Sequence, residues 1–70
     1  MQKLSKAAIG RSYTIQRMFG VPEVMDFLRE HHVEEGDNIQ IIRKLKDALI
    51  VGVKGSRFAM GNEIADRIQV

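Results

Sequence analysis

The stretch "VGVKGSRFAM", Val51 to Met60, decides how this chain folds. Apolar residues alternate at Val51 and Val53, Lys-Gly-Ser-Arg interrupts, and alternation resumes at Phe58 and Met60. Period-two alternation marks a strand with one buried face, and a glycine between two such runs marks a reversal. Lys54–Arg57 therefore predicts a hairpin-like turn, with Gly55 where the backbone needs unusual angles. The incoming strand is "LIVGVK", with Leu49, Val51 and Val53 on one face and Ile50, Gly52 and Lys54 on the other. A glycine inside a strand marks a bulge or a close backbone approach, which a tightly curved small sheet needs. On the returning strand, small Ala59 is expected to pack on the face opposite Met60, under a helix.

Working outward, "GNEIADRI" predicts a short helix, with Gly61 or Asn62 as N-cap, Glu63 in its first turn, and Ile64, Ala65 and Ile68 as an apolar stripe. Gln69-Val70 is expected to pair with the sheet. Upstream, "KLKDA" reads as a short polar turn and Ile39 and Ile41 as the core face of another strand. Gly36-Asp37-Asn38 before it is turn chemistry. In "GVPEVMDFLREHH" the period changes: Val24, Phe27, Leu28 and His31 recur at helical spacing. Pro22 and Glu23 suit a helix start and Arg29 a helix end, so a helix is expected from Val21 to His31. "SYTIQRM" alternates again and predicts one strand, with Tyr13 and Ile15 on one face, between Gly10 and Gly20. Short strands, tight turns and two helical pieces predict a mainly β domain closed into a small barrel, which removes exposed edges.

Seventy residues make one domain, residues 1–70, that buries only about 60% of its unfolded surface. No cysteine is present, so thiol chemistry and disulfides are excluded. No apolar run approaches the ~20 residues of a membrane span, and "MQKLSKAAIG" lacks a signal-peptide core; both predict a cytoplasmic protein without direct membrane insertion. Eleven basic and nine acidic residues are dispersed. Only Arg43, Lys44 and Lys46 cluster, and Asp47 follows at once, so a nucleic-acid partner is not expected.

Catalytic signatures are missing. No serine or threonine has a histidine at a telling spacing, and "GVKGSR" lacks P-loop spacing, which predicts no enzyme and no cofactor. His31 and His32 are the weak metal candidates, with Glu30, Glu34, Glu35 and Asp37 nearby. Adjacent helical side chains point about 100° apart, so the pair does not chelate one ion easily. His31 is expected to cover the core partly and His32 to end the helix. Met18, Phe19 and Met25 form a candidate binding patch, since methionines serve both cores and adaptable surfaces.

"LSKAAIGRSYTI", "FLREHHVEEGDNIQI" and "VGVKGSRFAMGNEIADRIQV" together resemble the FeoA family of bacterial ferrous iron uptake. The likeness spans nearly the whole chain. Leu4, Gly10, Ile15, Leu28, Gly36, Ile39 and Val53 fall at corresponding places. The resemblance implies an SH3-like β-barrel with a helix after the first strand, a short C-terminal helix, and an accessory or regulatory role. It also implies a partner, the cytosolic GTPase region of a FeoB-type membrane transporter. Contact is then expected through Met18, Phe19, Met25, Arg29, Arg43, Lys44 and Leu45, with self-association open. The same module resembles the C-terminal domain of DtxR-type metal-dependent repressors, which is the alternative reading; no helix-turn-helix accompanies it here. One departure concerns the backbone. Where the family commonly has an apolar residue and then glycine after Leu28, this chain has His31 and His32, and a histidine in place of that glycine adopts the helix-ending conformation at a cost in strain. The Lys44–Ala48 turn also lacks Gly and Pro, and Gly61 stands where a longer basic side chain is common.

Overall fold

A computed structural model describes residues 1–70. The central meander runs through β3 (Asn38–Lys44), β4 (Ala48–Val53) and β5 (Ser56–Gly61). Ile39 and Ile41, then Leu49, Val51 and Val53, then Met60, all point into one core and are buried. The β4–β5 reversal is tighter than expected. Val53 pairs with Ser56, leaving only Lys54 and Gly55 in the loop. Both have positive φ, 50° and 82°, the pattern that matches the right-handed twist of the flanking strands.

Gly52 resolves into a close approach. The irregularity lies on β3, where register slips between Ile41 and Arg43. The extra residue, Ile42, lays its Cδ1 only 3.2 Å from where a Gly52 Cβ would stand. A bulge bends and twists the strand that carries it. Ala59 does not lie under a helix; it is exposed on the outer sheet face.

The segment expected as one strand is two. β1 (Ser12–Thr14) pairs with β3, and β2 (Arg17–Met18) pairs with β6 (Ile68–Gln69). Between them Ile15 turns inward and is buried, giving its N–H to Asp37 and accepting from Gly36. The chain thus switches sheets there. The expected closed barrel is accordingly replaced by two open sheets, β1-β3-β4-β5 and β2-β6, facing each other across the core. Gln2 and Val70 exchange two backbone bonds beside β6, so the two ends of the chain extend the smaller sheet. A 3-10 turn at Leu4–Lys6, not foreseen, seats Leu4 and Ala7 in the core.

Helix α1 (Pro22–Glu30) follows β2, and α2 (Asn62–Ala65) follows Gly61, its N-cap position. The end of α1 has a clear physical logic. Val33 N–H reaches Leu28 O and His32 N–H reaches Arg29 O, the paired bonds of a Schellman motif. Leu28 and Val33, which flank the motif, are both buried. The motif requires a left-handed residue between, and His32 supplies it at φ 60°. That backbone costs an L-residue about 1–2 kcal/mol. Glycine relieves it but gains freedom in the unfolded chain, worth about 0.5–1 kcal/mol. His32→Gly is therefore expected to stabilise the domain by about 0.5–1 kcal/mol, read as a higher urea midpoint. A lower midpoint contradicts this account of the helix end.

Candidate interaction surface

The surface is built where β2 hands over to α1. Phe19 N–H donates to Arg67 O at 3.1 Å, and Phe19 leaves the end of the β2–β6 ribbon 49% exposed. Gly20 lets the chain fold back on itself. A Cβ there would stand 2.9 Å from Val24 Cγ1 and 3.4 Å from Arg67 Cδ. Val21 then precedes the helix and is 53% exposed. Pro22 at the helix start fixes φ and has no N–H to leave unpaired. Two large apolar side chains thus flank a glycine that any side chain would crowd. Phe19 also borders a shallow depression of about 470 Å³ lined by Lys3, Glu63, Asp66 and Arg67. Its rim carries both signs of charge, an arrangement suited to orienting a protein partner.

The other expected contact residues divide by position. Met18 and Met25 are half-buried and pack against the core. Met18 also donates its backbone N–H to Glu35 Oε2 at 3.2 Å. Arg29 is exposed and pairs with Asp26 at 2.8 Å on the helix surface, a contact worth about 0–1 kcal/mol. Arg43, Lys44 and Leu45 sit at the β3–β4 turn, all exposed, with Lys44 Nζ 3.4 Å from Ser5 O. No hydrogen bond or ion pair joins this turn to Phe19, Met25 or Arg29. Val21 belongs beside Phe19 and was not singled out in the sequence. Its position next to Gly20 and Pro22, at a helix entry, was the available signal.

The histidines separate. His31 stacks on Phe58 with ring centroids 4.1 Å apart and planes 18° apart, and Phe27 packs beside both at 4.6 and 6.0 Å. Phe27 and His31 are one helical turn apart, which brings their rings together; Phe58 arrives from β5. His32 is exposed on its left-handed backbone. No group of three or more His, Asp or Glu side chains is placed to hold a metal ion. Ser5 donates to Asp66 and Thr14 to Asn38, and neither histidine side chain makes a hydrogen bond to a hydroxyl or a carboxylate. A nucleophile-and-base pair is thus not assembled. No helix is long and apolar enough to cross a membrane.

A four-stranded sheet facing a two-stranded ribbon, with a helix between β2 and β3 and a short helix before the last strand, defines a small SH3-like domain. The sequence pattern of the FeoA domain matches residues 2–70, and the chain belongs to that family. The fold is similar to a crystal structure of the iron uptake regulatory protein FeoA, with TM-score 0.86, 25% identity, and coverage of 94% of this chain and 89% of that one. It is also similar to Stenotrophomonas maltophilia FeoA complexed with zinc, with TM-score 0.81, 24% identity, and coverage of 100% and 89%. That protein is described as a prokaryotic SH3 domain protein and a candidate bacterial ferrous iron transport activating factor. ScaR with bound Cd²⁺ shares the fold at TM-score 0.86 and 17% identity, over 97% of this chain but only 33% of that one. A manganese-dependent transcriptional repressor shares it at TM-score 0.85 and 14% identity, over 96% of this chain but only 39% of that one. No protein of curated function matches the sequence.

Proposed function

We propose that this chain is a cytosolic accessory protein of ferrous iron uptake that acts by docking on the cytoplasmic GTPase region of a FeoB-type transporter. The observation that carries the reading is the FeoA match across residues 2–70. The fold supports it, since no catalytic constellation is assembled and large apolar side chains stand exposed at Phe19 and Val21. Exposed aromatics with a polar rim are what docking surfaces use as anchors. Phe19 is the anchor in this reading, Val21 its neighbour, and Arg67 and Lys3 the orienting charges. The Arg43–Leu45 turn and Arg29 lie outside that centre and contribute orientation at most. The alternative, a regulatory module like the C-terminal domain of DtxR-type repressors, draws on a likeness to a manganese-dependent transcriptional repressor that extends to the fold alone, at 14% identity.

The test is uptake of radioactive Fe(II) by a deletion strain under anaerobic, iron-poor growth. Wild-type chain is expected to restore uptake, and Phe19→Glu to restore little while remaining folded by circular dichroism. Unchanged uptake in the deletion strain rules out the transport role. Full rescue by Phe19→Glu moves the docking surface elsewhere.

A further inference from the structure

The outer edge of β5 carries hydrogen-bonding groups that the chain itself does not use. Ser56–Gly61 pairs with β4 on one side, and its backbone makes no hydrogen bond on the other. Because Val53 and Ser56 close the two-residue hairpin, Ser56, Phe58 and Met60 aim their N–H and C=O groups at β4. Arg57, Ala59 and Gly61 aim theirs outward, and all three are exposed. Free edges are normally blunted by proline, a bulge or several charges. β5 has no proline, keeps unbroken register with β4, and carries a single charged residue, Arg57.

We propose that two copies of this chain pair antiparallel along β5, Ala59 facing Ala59 across a two-fold axis. This register is the one that uses every outward group: Ala59 meets its copy, Arg57 meets Gly61, and Gly61 meets Arg57. Each of these pairs exchanges two backbone hydrogen bonds. A register centred on Arg57 sets like charges opposite each other and is disfavoured. In the register proposed, each Arg57 faces a glycine, so no like charges stand opposite each other. The residues around Phe19 take no part. A strand-to-strand contact covers far less than the roughly 1,200–2,000 Å² of a stable complex, so the dimer is weak and reversible, with Kd on the order of 0.1–1 mM.

Sedimentation velocity of the full chain, from about 10 µM to about 1 mM, reads the mass across that range. Amide hydrogen exchange at both ends of the range reads the edge. The expected result is a shift toward dimer mass, with several-fold slower exchange at Arg57, Ala59 and Gly61 only when concentrated. Phe58 and Met60 amides, already bonded to β4, are expected to stay unchanged. Ala59→Lys places like charges on the axis at an exposed site and is expected to give a folded monomer throughout. Ala59→Pro removes an N–H that no acceptor within the chain uses and is expected to do the same. A wild-type chain that stays monomeric to the highest concentration overturns the proposal. So does a dimer that survives Ala59→Lys.

Discussion

Ile41→Ala is expected to leave the domain at or beyond the edge of unfolding. Ile41 is fully buried on β3, opposite Val51 and one residue before the bulge. Truncating a buried isoleucine costs about 2–5 kcal/mol, and the cost is highest where the surroundings cannot collapse into the cavity. Here the backbone is pinned to the N-terminal segment by two hydrogen bonds. Ile41 N–H donates to Arg11 O at 3.0 Å, and its own C=O accepts from Gly10 N–H at 2.7 Å. Collapse would break the contacts that hold the N-terminal segment along β3, so the upper half of the range applies. The per-residue norm gives a chain of this length a total stability of about 3.5–10 kcal/mol. Urea unfolding followed by circular dichroism is expected to show the midpoint falling by about half or more. A loss under about 1 kcal/mol contradicts the packing described for this site.

Gly55→Val is expected to cost about 2–3 kcal/mol, through the backbone alone. Gly55 has φ 82°, and no atom lies within 4 Å of the place a Cβ would occupy, so no clash contributes. A β-branched residue at positive φ is a genuine outlier, whereas asparagine visits that region with modest strain. Gly55→Asn is therefore the control, with an expected loss under about 1 kcal/mol. The difference between the two variants measures the turn. Equal losses contradict a two-residue turn with Gly55 in the left-handed region.

The β3–β4–β5 meander was legible because each strand has one buried face and period-two alternation reports it. Leu49, Val51, Val53 and Met60 landed where the alternation put them. The helix was legible for the parallel reason, with Val24, Phe27, Leu28 and His31 on its inner side. Ser12–Met18 shows where such reading fails. Alternation states which side chains go inward but not which strand supplies the hydrogen bonds, and at Ile15 the partner changes. The tight hairpin needed positive φ at Lys54, a residue type that gives no sign of it. Leu4 and Ala7 were missed because a three-residue 3-10 turn carries no period. The expectation for Ala59 placed it on the correct face but supposed a helix over it, and helix placement depends on long-range packing.

Of the proposed surface, one exposed apolar residue was legible in the sequence. Phe19 at a strand end before glycine stands out, and it is exposed; Met18 and Met25 share its composition but are drawn against the core. The strain at the helix end was also legible, from a histidine standing where a left-handed residue is required. The ring stack of His31 on Phe58 was not, since Phe58 lies on a strand remote in sequence and no spacing rule connects them.

In the proposed function, the residues around Phe19 dock this domain on a transporter's cytosolic region. Titrating isotope-labelled chain with the purified cytosolic GTPase region of a FeoB-type transporter, in its GTP- and GDP-bound forms, tests it by amide chemical shifts. Saturable shifts centred on Phe19, Gly20, Val21 and Arg67 are expected in at least one nucleotide state, with an affinity at least about tenfold weaker for Phe19→Glu. Spectra unmoved in both nucleotide states, or shifts that leave Phe19–Val21 untouched, contradict it.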